Sequence, residues 1–533
     1  MHEPARLIIH EFEAAAPLPH LKQAGPQEQY IRVYLRDLGA QSILEEPHYF
    51  DRDYLSEFEG YYATSARGYL NVCKRLHFFS VPLDRAKLRR ALDGNSRSLK
   101  ALREAYLGFC VVRPLPASPF GKTVLRWYPE LDPAFPRVTE SRRTYTCHIA
   151  GVPFTVEGLA WQQQDSSVSA CATVALWSML HSSAFSESHS VPTTYEITNA
   201  ANQTFGYGRR AFPSSGLTAD QLGEVIKTMS LQPARVESDQ IYCDPEGSQH
   251  QCFHPQRFSP IVCGLLRSGY PILLIGSLWE TDDQGGLVAF LGLHAVCLSG
   301  FREPKARPTS GWGFQDEFLE HVYLHDDNQG PNVRYRVDHE PLTAGASQNF
   351  IILRRSPPQR IQSSITENTG ARFALIPSDL FVAVHDAIRV DILSLFRRAT
   401  DLSSVFDQIH RHLLKQKQAA PTSASTTVSL RFVELNHYMG QELSKMSGRT
   451  ASLSTVLGST RLSLAERIAP MSKHIGLIRI ASDGEPVVDF LFDTTEIERS
   501  ARCFSHVLFD TRVHPIVDIL AMHRDIGVRV EAF

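Results

Sequence analysis

One segment of the sequence can fold only as a buried element. Residues 170–180 read ACATVALWSML, which leaves hardly any polar position on any side of a helix. A helix that is apolar nearly all round must lie at the centre of a domain, covered by other elements on every face. The chain has 533 residues, of which 43% are hydrophobic. It can therefore build a core around such a helix, and its length predicts about two to four domains.

A cysteine, Cys171, stands at the start of this predicted helix. Polar residues that are typical of a helix N-cap come just before it: Asp165, Ser166, Ser167 and Ser169. The positive end of the helix dipole favours a thiolate at this position, and the thiolate is the nucleophilic form of cysteine. Most buried cysteines are inert, so a purely structural role for Cys171 stays open on this observation alone.

A histidine and a group of acidic and amide residues follow in the sequence. His294 lies in LHAVCLSGF, residues 293–301, where apolar residues on both faces predict a buried strand. The next predicted strand, HVYLH, ends in the turn DDNQGP, whose Asp326, Asp327 and Asn328 can each accept the second ring N–H of His294. A strand histidine is often structural, and Asp and Asn are common turn residues. Only the order of thiol, imidazole and acid suggests a nucleophile with its base and orienting group.

In this order the residues resemble those of papain-like cysteine peptidases, most closely the bacterial C39-like branch. The resemblance covers roughly residues 160–335, in five blocks: CATVALWSML, SGLTADQLGEVIKTM, GYPILLI, GLHAVCLSGF and VYLHDDNQGP. It implies an α+β fold with a papain-like core, in which a central helix packs on an antiparallel sheet. The chain departs from the branch at Ala172 and Thr173, where glycine and proline are usual.

The resemblance also implies a role for each candidate residue. Cys171 is the expected nucleophile, His294 the general base and acid, and Asp326 the orienting group, with Asp327 as the alternative orienter. The expected function is therefore a cysteine peptidase that hydrolyses peptide or isopeptide bonds of a protein or peptide substrate.

The oxyanion donor is less regular. The family places a glutamine six residues before the cysteine, and that position here is Asp165, which cannot donate a hydrogen bond when ionised. Gln164 is therefore the expected donor, together with the backbone N–H of Cys171, and Gln163 is the fallback.

Two other kinds of function stay open. The same residues serve acyl transfer and deamidation, because a fold does not fix a reaction. The altered glutamine position and the missing glycine also fit a catalytically degenerate scaffold that acts as an interaction protein. A further hypothesis is that the flanking regions restrain the protease until a signal arrives, as in bacterial defence or signalling systems.

Three regions are expected along the chain: an N-terminal mixed α/β region (1–145), a papain-like peptidase domain (146–355) and a C-terminal α+β domain (356–533). The C-terminal domain is a candidate for binding a protein partner. Within it, residues 380–416 read as strongly helical and residues 418–429 as a mobile loop.

Net charge and cysteine content bear on the partners of the protein and on its cellular compartment. The net charge of −3 gives no basic surface for nucleic acid or an anionic membrane. We find no secretory signal and no long apolar run that would span a membrane. Nine scattered cysteines favour reduced thiols and a cytoplasmic location.

No cofactor or metal is predicted. The segment YCDPEGSQHQCFH contains four residues of metal-binding type: Cys243, His250, Cys252 and His254. Their spacing fits no common zinc pattern, so the segment is interpreted as an ordinary loop.

Overall fold

A computed structural model describes most of the chain. The described residues are 6–22, 25–130, 132–165, 167–168, 170–186, 190–203, 216–305, 308, 311–342, 347–356, 372–415, 425–448, 451–466, 468, 471–495 and 503–522. The strands are β1 (Ile8–Glu11), β2 (Ser42–Tyr49), β3 (Cys73–Phe79), β4 (Tyr106–Val112), β5 (Phe120–Leu125), β6 (Arg137–Val138), β7 (Arg143–Ile149), β8 (Val152–Gly158), β9 (Leu231–Glu237), β10 (Gln240–Cys243), β11 (Gln249–Cys252), β12 (Ile272–Thr281), β13 (Leu287–Arg302), β14 (Gly311–Phe314), β15 (His321–Asp326), β16 (Gly330–Pro341), β17 (Asn349–Arg355), β18 (Arg372–His385), β19 (Ser425–Glu434), β20 (His474–Ser482), β21 (Glu485–Asp493) and β22 (Cys503–Leu508).

The helices are α1 (Gly25–Asp37), α2 (Arg52–Gly60), α3 (Arg85–Leu92), α4 (Ser96–Glu104), α5 (Cys171–Leu180), α6 (Thr194–Asn202), α7 (Ala219–Thr228), α8 (Pro255–Arg267), α9 (Ile392–Lys415), α10 (Leu435–His437), α11 (Leu443–Ser447), α12 (Ala451–Glu466) and α13 (His514–Met522). Short 3₁₀ helices cover Tyr62–Thr64, Ser183–Phe185 and Thr511–Val513, and a π-helical turn covers Tyr438–Glu442. None of the helices within the described residues has both the length and the apolar character that a bilayer crossing requires.

The central sheet carries two of the candidate site residues, His294 in β13 and Asp326 in β15. Its strands follow the order β12, β13, β15, β16, β17 and β18, all antiparallel, and β18 pairs back with β12. The six strands thus form a closed circuit, which β9 extends at β18 and β6 extends at β13. Helix α5 packs against β13, β12 and β15. A buried helix on an antiparallel sheet agrees with the predicted α+β class.

Two smaller sheets flank the central one. Strands β1 to β5 form an antiparallel N-terminal sheet in chain order. The C-terminal sheet has the order β14, β19, β20, β21 and β22, with β14 parallel to β19 and the other pairs antiparallel. Because β14 lies between β13 and β15 in sequence, the C-terminal sheet holds the connection between two central strands.

Two hairpins close through two-residue turns. The turn from β7 to β8 consists of Ala150 and Gly151, with φ of 47° and 83°. The turn from β20 to β21 consists of Asp483 and Gly484, with φ of 49° and 83°. Positive φ at both central residues is the geometry that two-residue hairpins favour.

Two predictions in the C-terminal region are wrong in part, although the helix is confirmed over Ile392–Lys415. Residues 380–385 belong to strand β18, and helix α9 begins only at Ile392. A short apolar run such as LFVAV is equally compatible with a buried strand, and here it lies between β12 and β9. Residues 425–429 belong to β19 rather than to a loop, whereas residues 418–424 lie outside the described residues.

Strand pairing also bears on the region boundaries. The predicted boundary between the central and C-terminal regions follows residue 355. Strand β18 lies after this boundary but belongs to the central sheet, and strand β14 lies before the boundary but belongs to the C-terminal sheet. One cluster of buried apolar side chains includes members of all three predicted regions, from Leu18 through Leu176 to Leu520. The three regions are therefore packed around a shared core.

Candidate functional site

Helix α5 begins at the predicted cysteine. Cys171 is its first residue and is half-buried, and residues 172–180 are all buried. The N-cap is Ala170, whose methyl group cannot accept a hydrogen bond, so the expected polar cap is not used there. Asp165 accepts instead from the backbone N–H of Ser167 at 3.1 Å, while Ser166 and Ser169 lie outside the described residues. The first backbone N–H groups of α5 have no partner within the helix and can serve an anion.

Strand β13 places His294 against this helix. His294 pairs with Gly276 of β12, where a Cβ would lie 2.4 Å from the carbonyl oxygen of Ile376, so only glycine fits. The thiol of Cys171 lies close enough to the imidazole of His294 to help raise its pKa. The structure thus joins two residues that lie 123 positions apart in the sequence (294 minus 171).

Strand β15 brings Asp326 to the other side of the imidazole. Cys297 pairs with His325, so the last residue of β15 lies close to His294. Nε2 of His294 is 3.1 Å from Oδ1 of Asp326. The hydroxyl of Tyr335 donates to Oδ2 of Asp326 at 2.7 Å, and the backbone N–H of Asn328 donates to Oδ1 at 3.0 Å. Three donors therefore fix the orientation of this carboxylate.

Asp327, the alternative orienter, occupies a different position. Its Oδ1 lies 3.7 Å from Nε2 of His294, beyond hydrogen-bond distance. Its Oδ2 is buried and has no hydrogen-bond partner among the described residues. The main chain is better held, because Gln27 of α1 donates to the Asp327 carbonyl oxygen at 3.1 Å. Geometry favours Asp326 as the group that orients the imidazole.

The charges of the site reinforce one another. Burial opposes a charged His294, but the hydrogen bond and charge of Asp326, the nearby thiol of Cys171 and the charge of Asp327 raise its pKa well above 6.5. Burial likewise opposes ionisation of Asp326, yet His294, Tyr335 and the N–H of Asn328 hold its pKa below the usual value.

The second carboxylate behaves differently. Burial and the neighbouring charge of Asp326 raise the pKa of Asp327 to about 7, although the charge of His294 acts in the other direction. These shifts favour the protonated imidazole and the ionised form of Asp326, while Asp327 keeps its proton to near neutrality.

The three glutamines before α5 differ in their contacts. Gln164 is half-buried and has no side-chain hydrogen bond within the described residues. The backbone N–H and C=O of Gln163 bond to Phe120 and Arg113, and its side-chain oxygen accepts from Phe120 N–H at 3.5 Å. Gln163 is therefore committed to holding the loop. Gln162 is buried, and its Nε2 finds no acceptor among the described residues, which makes it a second candidate donor beside Gln164.

Several residues that hold the site residues in position were not predicted from the sequence. Trp161 donates from Nε1 to the Asp326 carbonyl oxygen at 3.0 Å, and Tyr335 and Gln27 make the contacts described above. Each bond joins segments that no local pattern connects. The alternating apolar pattern of β16 was the available signal for Tyr335, but it identifies a buried face and not a partner.

A cation could also be held at this place. Ligand atoms of His294, Asp326 and Asp327 lie within 4.8 Å of one another. Binding would require His294 to lose the Nε2 proton that it shares with Asp326. Among the described residues the four candidate ligands of the 243–254 segment form no such group. On that hairpin Cys243 pairs with Gln249, and Cys252 pairs with Gln240 at the other end.

The site groups a thiol at a helix start, an imidazole close to it and a carboxylate hydrogen-bonded to that imidazole, the kinds of group that thiol-dependent acyl transfer uses. No protein-family model matches the chain, and a search of curated proteins also finds no match. The function of the chain is therefore inferred from the chemistry of the site.

Proposed function

We propose that this protein is a papain-like cysteine peptidase that hydrolyses peptide or isopeptide bonds in protein or peptide substrates. The observation that carries the proposal is the grouping of Cys171, His294 and Asp326: Asp326 is hydrogen-bonded to the imidazole, and the thiol lies close enough to help raise the pKa of that imidazole. A buried structural histidine does not need a thiol at a helix start beside it.

The reaction follows triad logic. The thiolate of Cys171 attacks the carbonyl carbon, which forms a C–S bond and a tetrahedral oxyanion. Backbone N–H groups of the first turn of α5 and the amide of Gln164 or Gln162 are the candidate donors to this oxyanion. His294 gives its proton to the leaving amine as the C–N bond breaks. It then takes a proton from the water that hydrolyses the thioester, and Asp326 stabilises the imidazolium in both steps.

Architecture and thiol chemistry support the same proposal. Helix α5 packs against the antiparallel strands β13 and β15, which is the arrangement that a papain-like core requires. All nine cysteines are free thiols. Free thiols are typical of a reducing compartment, so we place the protein in the cytoplasm.

The flanking regions contribute to the geometry of the site. In the N-terminal region, Gln27 holds the Asp327 main chain, and Asp53 of α2 accepts a hydrogen bond from Nε1 of Trp177 in α5 at 3.2 Å. In the C-terminal region, β19 pairs with β14. In the sequence, β14 is part of the connection from β13, which carries His294, to β15, which carries Asp326. We propose that both regions position the site; binding of a protein partner by the C-terminal region stays a prediction.

A peptide library prepared from a whole proteome tests the function. The wild-type protein should create new peptide termini, and Cys171→Ala should create none, because triad members act as a unit. Cys243→Ala is the matched control, since it removes an exposed thiol outside the site and should cleave like the wild type. Equal cleavage by Cys171→Ala, or no cleavage by the wild type, would contradict the proposal.

A further inference from the structure

The strand that carries His294 has one edge without a partner over much of its length. β13 pairs with β12 over residues 287–298, whereas β15 joins the opposite edge only from Cys297 onwards. No described strand pairs with that edge over residues 287–296, which span about 30 Å. Unpaired backbone N–H and C=O groups along such an edge form a template for another extended chain.

The free edge of β13 is also apolar. Residues 287–296 read LVAFLGLHAV and contain no Lys, Arg, Asp, Glu or Pro, the residues with which proteins commonly block an edge strand. Four large apolar side chains are exposed within six consecutive positions: Val288 by 62%, Phe290 by 47%, Leu291 by 50% and Leu293 by 70%. Clustered exposed apolar side chains of this kind mark an interaction site.

Two β-bulges shape this edge. Register shifts against β12 leave Val288 and Leu291 as extra residues without a partner on that strand. Bulges bend a strand and re-aim its side chains, and they are frequent next to active sites. From Gly292 to Leu298 the register with β12 is regular, so the backbone edge beside His294 is that of an undistorted strand.

The free edge leads into the candidate site. His294 lies on it, hydrogen-bonded to Asp326 and close to the thiol of Cys171. A chain that pairs with residues 288–293, where the exposed side chains lie, ends next to His294. A strand bound there permanently would cover the site. The occupant that fits both observations is a substrate segment that binds and leaves.

We propose that the free edge of β13 binds the substrate as an added strand. The substrate segment is an extended polypeptide with large aliphatic or aromatic side chains, which contact the exposed side chains of residues 288–293. The proposal rests on the proposed function for the identity of the occupant, and it adds the conformation and the side-chain class of the substrate.

Leu291→Lys tests the surface without touching the catalytic residues. The side chain is half exposed, so the variant should fold, and an edge lysine opposes strand addition. Ile241→Lys is the matched control, because Ile241 is also 50% exposed on a strand, β10, outside the free edge. On the proteome-derived peptide library, Leu291→Lys should lower kcat/KM about tenfold and lose a preference for apolar residues beside the cleaved bond. Unchanged rates and sites in Leu291→Lys would overturn the proposal.

A binding measurement separates this inference from the proposed function. The probe is a synthetic decapeptide of alternating leucine and threonine, compared with the same peptide carrying serine for leucine. In Cys171→Ala the leucine peptide should slow amide hydrogen exchange over residues 287–296, and the serine peptide should not. Such protection without any cleavage by the wild type would support the edge and reject the peptidase. Protection that appears with protein concentration alone would show that a second copy occupies the edge and would contradict a substrate role.

Discussion

The hydrogen bond from Tyr335 to Asp326 gives the sharpest energetic prediction. The hydroxyl donates to Oδ2 at 2.7 Å, and both residues are 4% exposed. Tyr335→Phe removes the donor and keeps the ring, so the packing is nearly unchanged. A hydrogen bond to a charged group contributes about 1.5–3 kcal/mol, against about 0.5–1.5 kcal/mol for a neutral pair. We expect the free energy of unfolding to fall by about 1.5–3 kcal/mol at neutral pH.

Tyr54→Phe is the control for this measurement. Tyr54 is 1% exposed, and its hydroxyl donates at 2.8 Å to the carbonyl oxygen of Leu70, an uncharged acceptor. The same atom is removed from a buried ring in both variants, so their difference reports the charge of the acceptor. Urea denaturation followed by tryptophan fluorescence should show a cost of about 0.5–1.5 kcal/mol for Tyr54→Phe.

The pH dependence of the cost identifies the acceptor. The bond to Tyr335 and the charge of His294 help to lower the pKa of Asp326, so its stabilisation is present above the unfolded pKa, about 4, and is lost as pH falls through the folded pKa. The cost of Tyr335→Phe should therefore shrink below about pH 4. A cost equal to that of Tyr54→Phe at every pH would refute an ionised Asp326.

Three further predictions follow from buried groups. Since the pKa of Asp327 is raised to about 7, the native state keeps a proton that the unfolded chain loses near pH 4, so the contribution of Asp327 to stability should fall between about pH 4 and 7. In urea titrations the stability of Asp327→Asn relative to the wild type should therefore rise over this range, and parallel curves would contradict the prediction. Arg113 and Glu57 form a buried ion pair at 3.2 Å. Glu57→Gln leaves the cation without its carboxylate partner, so it should lower the free energy of unfolding by about 3–5 kcal/mol in the same assay. A cost below about 1 kcal/mol would contradict the ion pair. Gly330→Ala should lower the thermal midpoint by several degrees, because its Cβ would lie 2.3 Å from the Tyr30 ring at a φ of 150°; an unchanged midpoint would show that α1 does not pack there.

The predictable parts of the fold carry local signals. The hairpin turns at Ala150-Gly151 and Asp483-Gly484 need backbone angles that few residue pairs adopt, so a dipeptide is enough to locate them. Helix α5 was predictable because an apolar surface on every side admits only a buried helix. The capping boxes at Thr193 and Thr218 are likewise local signals. The second one begins helix α7 within the block SGLTADQLGEVIKTM.

Strand pairing carried no such signal. Nothing within residues 380–385 shows that β18 lies between β12 and β9, so the apolar run read as helix. The parallel pairing of β14 with β19 joins residues more than a hundred positions apart. Closure of the six-stranded circuit likewise depends on contacts that form only when the whole sheet assembles.

The candidate site likewise has residues that the sequence predicts and residues that it does not. The order of Cys171, His294 and Asp326 was visible, because each lies at a recognisable point of a helix or strand. The residues that hold them were not, because Trp161 and Gln27 reach their partners across 165 and 300 positions. Their donors satisfy main-chain carbonyls, and any polar side chain at the right place in space could do so.

The most direct test of the account is the relative reactivity of two cysteines. Cys171 is half-buried, and Cys243 is an exposed free thiol outside the site. Site-resolved mass spectrometry after brief iodoacetamide treatment at neutral pH measures both rates in one sample. If Cys171 and His294 form a working pair, Cys171 is alkylated about tenfold faster than Cys243 or more, and His294→Ala removes this lead. Faster labelling of Cys243 in the wild type, with no effect of His294→Ala on Cys171, would contradict the central claim.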